Sequence, residues 1–199
     1  MGRKEDAERV HAEDVRAWRR WLSAHHSRTE GIWLVSWKKA TGRPSMTYDE
    51  AVANALCFGW IDSVTAALDD ERSMLWFSPR RPGSGWSRPN KQRIEAMEAA
   101  GRMHDAGRAV VAQAKADGSW SLLDAVEDLV VPDDLAAAFD RHPGSEGHWA
   151  SFPRSVRRGI LEWIVQATRP QTRERRIEET ARLAARGERA NQWRGPKGP

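Results

Sequence analysis

A single cysteine, Cys57, in 199 residues excludes an internal disulfide and leaves any thiolate zinc site incomplete. Its neighbours are apolar at helical spacing, so Cys57 is expected as a small core residue. No apolar run approaches the roughly 18 to 20 residues that span a bilayer, and membrane insertion is not expected. Six histidines, at positions 11, 25, 26, 104, 142 and 148, show no metal-ligand spacing. Neither a metal nor a cofactor is expected. The glycines form no phosphate-binding or dinucleotide pattern, Gly83-Ser84-Gly85 being far too short, and no nucleophile elbow occurs. No catalytic residue is assigned on these grounds. The start, Met1-Gly2-Arg3-Lys4-Glu5-Asp6, is charged and carries no apolar segment, so no secretory signal is expected and a cytoplasmic location is.

Tryptophan, by contrast, is abundant: 11 residues in a chain that is 40% apolar and 30% charged, with mean hydropathy −0.71. Disordered chains lack that aromatic supply, so a folded protein with a real core is expected. The net charge of +4 is unevenly placed. Between Arg154 and Arg194 there are eleven Arg, no Lys and five Glu, a balance of +6, which leaves the remainder at −2.

The periodicity predicts an α+β protein. Its N-terminal domain packs helices on a small, mainly antiparallel sheet over residues 1–130. An all-helical module over 131–187 and a disordered tail over 188–199 follow. Residues 1 to about 10 are also expected to be frayed. Val15, Trp18 and Leu22 predict a helix over 13–24. Ile32 to Trp37 reads as a central strand, apolar on both faces. Thr47 and Glu50, three apart, form a capping box for a helix that stops at Gly59. Strands are expected at 60–67 and 73–78, then helices at 90–100 and 105–116. Pro132-Asp133-Asp134 opens a short helix, and His142-Pro143-Gly144-Ser145 breaks the chain. Pro153 opens a helix bearing Val156, Ile160, Trp163 and Ile164. Pro170 interrupts it before a last helix with Ile177, Ala181 and Ala184.

One segment points to a site. If the strands at 60–67 and 73–78 form a hairpin turning at Asp70, then Asp62 pairs with Ser78, Trp60 with Arg80, Val64 with Trp76 and Ala66 with Met74. Trp60, Asp62, Ser78 and Arg80 then share one face at the open end. Arg80 and Arg81 offer a guanidinium fork for a carboxylate or phosphate. Trp86 offers a stacking surface, and Ser87 and Asn90 lie at the start of the next helix, where backbone N–H groups favour an anion. The eight candidate ligand-binding residues are Trp60, Asp62, Ser78, Arg80, Arg81, Trp86, Ser87 and Asn90. A structural ion pair and a Trp-walled core explain the same cluster equally simply.

Phe58-Gly59-Trp60-Ile61-Asp62, Phe77-Ser78-Pro79-Arg80-Arg81 and Ser84-Gly85-Trp86-Ser87 with Asn90 resemble the family known as YdeI or OmpD-associated, also labelled bacteriocin-protection proteins. The run Ala167-Thr168-Arg169-Pro170-Gln171-Thr172-Arg173-Glu174-Arg175-Arg176-Ile177 is similar to that family's C-terminal helical module. The resemblance extends over most of residues 15–187. Two positions depart from the family's form: Ser63 stands where Gly is usual, and Arg81 where Lys is usual. The resemblance implies protection against bacteriocin or antimicrobial-peptide stress, with no assigned reaction.

Three functions follow as expectations. The first is a cytosolic bacterial stress-protection protein that binds a small anionic or peptide-like ligand without turning it over. The second is nucleic-acid binding through Arg169, Arg173, Arg175 and Arg176, of which 169, 173 and 176 share a helix face. Against it stand the interleaved Glu174, Glu178 and Glu179, and acids near 127–134 onto which these helices can dock. The third is a small enzyme acting on an anionic metabolite through Asp62 and Arg80. The oligomeric state is not legible.

Overall fold

Ile32–Trp37 (β2) is apolar on both faces, and in the computed structural model, which describes residues 4–192, it is an inner strand of the sheet. Arg9–His11 (β1) lies parallel to it on one side. Arg72–Pro79 (β4) lies antiparallel on the other, and Trp60–Ala67 (β3) closes the order β1-β2-β4-β3. The sheet is therefore mixed. β1 falls where fraying was expected: its short charged sequence has no strand signal, and it is held by pairing Arg9, Val10 and His11 with Trp33, Leu34 and Val35.

Ile32 and Leu34 are buried in the main core with Trp18 and Leu22 of Val15–His25 (α1) and Val52 and Leu56 of Tyr48–Leu56 (α2). Trp33 and Val35 point the other way, into a small cluster with Met74. The second helix starts on the signal expected of it, and the first on a cap the sequence reading did not name. The Asp14 carboxylate accepts from Ala17 N at 2.7 Å, and Thr47 with Glu50 closes a reciprocal capping box. Buried tryptophans need a partner for the indole N–H. Trp18 donates to Ala51 O and Trp60 to His26 O, both at 3.0 Å.

Arg88–Ala99 (α3) and Asp105–Ala116 (α4) follow the hairpin. α4 comes close to the end of α2 because position 107 is glycine. A Cβ there would lie 2.1 Å from Cys57 O. These elements form one unit, ending at Trp120.

The hairpin corrects the expected register. Ala66 does face Met74, but Trp60 faces Pro79, Ile61 faces Ser78 and Asp62 faces Phe77. A bulge between Asp62 and Thr65 puts one extra residue on β3, so every pair beyond it shifts by one. Asp62 and Ser78 therefore do not share a face.

The second unit begins at Ser121, and its described residues are all-helical apart from their connections. It comprises Asp124–Glu127 (α5), Asp133–Arg141 (α6), Ser145–Ser151 (α7), Arg154–Val165 (α8) and Pro170–Ala184 (α9). The sequence reading put this boundary at residue 130. Leu135, Phe139, Trp149, Ile160, Ile164, Ile177 and Ala181 build its core. α7 begins where only a chain break was expected: Gly144 takes φ +82° and His148 N donates back to its carbonyl at 3.2 Å. Of the tail expected from residue 188, Ala190 is buried in this core, and residues 193–199 lie outside the described residues, as do 1–3.

Candidate ligand-binding site

β4 ends at Pro79, and Arg80 N donates to Gly59 O at 2.9 Å, extending the strand pairing by one bond. From there the chain turns through Pro82-Gly83, with Gly83 at φ +74° and Ser84 N donating to Arg81 O at 3.2 Å. This tight turn folds the Arg80 side chain back over the loop it begins. Its guanidinium lies 3.7 Å from the centre of the Trp86 ring. Nη2 donates to Ser84 O at 3.2 Å, Ser84 Oγ at 3.3 Å and Gly85 O at 3.0 Å. All three acceptors are neutral.

Arg80, Arg81, Ser84 and Trp86 form one wall of a pocket of about 230 Å³. Val110, Gln113 and Asp117 of α4 and the turn after it form the other. Trp86 is buried and tilts against Trp120, ring centres 4.9 Å apart, which fixes the floor. Burial pushes the Arg80 guanidinium down to about 10, and the charge of Asp62 opposes that shift. A guanidinium at that value is still charged at neutral pH. Hydrogen bonds from Ser119, with a further one from the Gly83 N–H, hold the Asp117 carboxyl below its ordinary value, so this carboxylate is tied to the loop that carries the two arginines.

Of the eight expected residues the pocket gathers Arg80, Arg81 and Trp86. Trp60 sits in the core beneath, with its N–H committed to His26. Asp62 accepts from the Tyr48 hydroxyl at 2.7 Å. Ser78 stands opposite Ile61, across the strand from that carboxylate. Ser87 is the N-cap residue of α3 and makes no side-chain cap bond. Asn90 accepts from Arg93 Nη1 at 2.7 Å, and Arg93 also pairs with Asp49, tying α3 to α2. The stacking face of Trp86 is taken by Arg80 rather than open to a ligand. Ser84, Gln113 and Asp117 were not singled out by the sequence. Ser84 belongs to the Arg80 loop itself, whereas Gln113 and Asp117 reach the pocket through the close approach of α4, which Gly59 and Gly107 permit.

The four arginines of α9 and its cap divide. Arg173 forms a two-point pair with Asp134, at 2.7 and 2.9 Å, and Arg176 donates to Trp163 O while lying 4.9 Å from the Trp163 ring centre. Arg169 and Arg175 are exposed. The acids near 127–134 do receive arginines, within the helical unit itself: Arg158 pairs with Glu127 at 2.8 Å. Among the described residues no three His, Cys, Asp or Glu side chains gather as a metal site, and no helix is long and apolar enough to cross a membrane.

Comparison with known families divides the chain in the same two parts. Residues 10–110 match the family described as "Domain of unknown function (DUF8412)". Residues 128–187 match that described as "Bacteriocin-protection, YdeI or OmpD-Associated". The likeness to the latter was expected from about residue 15. The match is narrower, and the Trp-Asp and Pro-Arg-Arg motifs fall in the other family's span. No curated protein and no solved structure matches.

Proposed function

The chain belongs to the DUF8412 family over residues 10–110 and carries a YdeI or OmpD-associated domain over 128–187, and we propose that it is a cytosolic bacterial stress-protection protein whose N-terminal unit binds a small anionic or peptide-like ligand. One observation carries this reading. The Arg80 guanidinium borders a pocket, is held by neutral acceptors only, and has no carboxylate within ion-pair distance among the described residues. A largely desolvated cation with no direct ion pair, helped only by the more distant charge of Asp62, is costly, and an anion in the adjoining space offsets that cost.

Size and charge narrow the ligand. At roughly 30 Å³ per water molecule, 230 Å³ holds about eight. That suits a group of amino-acid or dipeptide size. The two arginines of the rim suit a ligand that presents a carboxylate. Binding is favoured over turnover because the Ser84 hydroxyl, which accepts from Arg80, donates its own proton to Arg81 O at 2.7 Å. The pairing of Arg173 and Arg176 within the helical unit favours this reading over nucleic-acid binding.

The test is a titration of the full chain with alanyl-alanine, its C-terminal amide and succinate, followed by the change in total tryptophan emission, to which Trp86 and Trp120 at the pocket contribute. The free carboxylates are expected to bind. The amide, and the Arg80→Gln and Arg81→Ala variants, are expected to lose about tenfold or more, as one charged hydrogen bond is worth about 1.5–3 kcal/mol. Equal binding of acid and amide, or no response to any of the three, refutes the reading.

A further inference from the structure

Away from that pocket, three elements of the same unit meet at the buried amide of Asn54, on α2. Its Nδ2 donates to Glu50 O at 2.7 Å, which fixes the amide and leaves Oδ1 as an acceptor. Arg19, on α1, donates to that oxygen from Nη1 at 2.9 Å and to Arg102 O from Nη2 at 2.8 Å. Arg102 itself donates to the same Oδ1 from Nη2 at 3.2 Å. Two guanidinium nitrogens sharing one oxygen at 2.9 and 3.2 Å lie at most 6.1 Å apart.

Arg102 is put there by the end of α3. Gly101 takes φ +65°, its N–H donates to Glu98 O, and Arg102 N donates to Met97 O, both at 2.9 Å. These are the two bonds of a Schellman close. They turn the chain so that residue 102 leaves the helix beside α1 and α2. Phe58 makes an aromatic wall: the Arg19 guanidinium lies 5.2 Å from its ring centre, and His104 stacks on that ring at 4.8 Å.

A structural role accounts for Arg19, which is half-buried and ties α1 to α2 and to the carbonyl of residue 102. It does not account for Arg102. Its side chain is exposed, yet it turns onto an oxygen that already has a cationic donor. Among the described residues no carboxylate lies within ion-pair distance of either guanidinium. Glu50 is engaged by Thr47, and Glu98 by Arg108. One neutral carbonyl oxygen has lone pairs for both donors but no charge to offset theirs.

We infer that Arg19 and Arg102 form an oxyanion site that takes a dianionic phosphate group, free or as a monoester, bridging the two guanidiniums beside Asn54. Two full positive charges suit a dianion, and guanidinium forks match phosphate oxygens in geometry. The shift of the nearby thiol agrees with this convergence. Burial pushes Cys57 up, while Arg19 and then Arg102 act against it. The site is separate from the Arg80 pocket and stands whether or not that pocket binds peptides.

The experiment is calorimetric titration of the full chain with inorganic phosphate and with glycerol 3-phosphate, chloride holding the ionic strength. Saturable binding is expected. Arg102→Ala is expected to weaken it about tenfold or more, Arg102→Lys less, and Arg80→Gln not at all. In phosphate-free buffer Arg102→Ala is expected to melt at or above the parent temperature, because a like charge is removed. Tighter binding of the monoester would point to a phosphorylated metabolite, and equal or weaker binding to free phosphate; both support the site. No saturable binding, or binding indifferent to Arg102→Ala, overturns it. So does binding lost in Arg80→Gln instead, or an Arg102→Ala protein destabilised without phosphate, which marks a structural tie.

Discussion

Replacing Gly107 with alanine tests the joint that brings α4 to both the core and the pocket. An added Cβ would meet Cys57 O at 2.1 Å, Cys57 C at 2.6 Å and Leu56 O at 2.9 Å. All three are backbone atoms, so no side-chain rotation relieves the clash and α4 has to retreat. Overpacking of this kind costs about 1–3 kcal/mol, and a clash against backbone belongs at the upper end. Retreat also stretches the bond from His104 N to Cys57 O, now 3.1 Å, a loss of about 1 kcal/mol. Against this, alanine gains about 1 kcal/mol over glycine in a helix. The net loss is about 2–3 kcal/mol. At roughly 2.1 cal/mol/K of unfolding entropy per residue, over the 120 residues of the unit, that lowers Tm by about 10 °C. The assay is a calorimetric melt, with Gly159→Ala in α8 as the opposite case. Nothing lies within 4 Å of a Cβ at 159, so that change is expected to stabilise the helical unit by about 1 kcal/mol. Ligand response in the Arg80 pocket is expected to weaken in the Gly107 variant alone, because Val110 and Gln113 move with α4. A Gly107→Ala protein that melts at or above the parent temperature refutes the close approach and the pocket wall that depends on it.

Tyr48 is the one tyrosine of the chain, so its phenolate can be followed without ambiguity by ultraviolet difference absorbance. Although the ring is half exposed, partial desolvation, and after it the bond to Asp62, push the phenol up to about 12 from 10.0. The stability it lends is present below pH 10 and is lost as pH rises through 12. Asp62→Asn is expected to move the midpoint part of the way back, burial remaining, and an unmoved midpoint contradicts the Tyr48–Asp62 pair. In the helical unit the bond from Arg173 holds the Asp134 carboxyl below its ordinary 3.8. Its contribution is present above that value and is lost as pH falls through the depressed one. Asp134→Asn is expected to flatten the acid limb of the stability profile, whereas Asp133→Asn is not. Equal effects from both remove the Arg173 pair from the account.

The elements were legible wherever local chemistry decides. β2 and β3 follow the boundaries read from their apolar runs, and the capping box at Thr47 and the stop at Gly59 form as their residues dictate. β1 was not legible because nothing in Arg9-Val10-His11 asks for a strand; β2 supplies the partner. α7 was hidden for the converse reason. Pro143 and Gly144 read as a break, and the left-handed Gly144 only turns the chain before a new helix begins.

The site was half legible, and the missing half has one cause. Strand parity put Asp62 and Ser78 on one face, but parity survives only while both strands advance in step. The bulge between Asp62 and Thr65 adds a residue to β3 alone, and Val64, exposed, carries no apolar demand to resist it. Beyond the bulge Asp62 meets Phe77, turns to Tyr48, and acts on Arg80 through its charge rather than through a bond. Arg80, Arg81 and Trp86 stayed together because one short turn, residues 80–86, fixes their geometry whatever the register before it. The opposite wall, Gln113 and Asp117, depends on where a helix some thirty residues later comes to rest, and Gly107 decides that. The same holds for Arg19 and Arg102, far apart in the chain: Arg19 reaches Asn54 from α1, and the Schellman close at Gly101 brings Arg102 onto the same oxygen. Charge left unpaired by tertiary placement is invisible to any count along the chain, and both proposed anion sites of this protein arise that way.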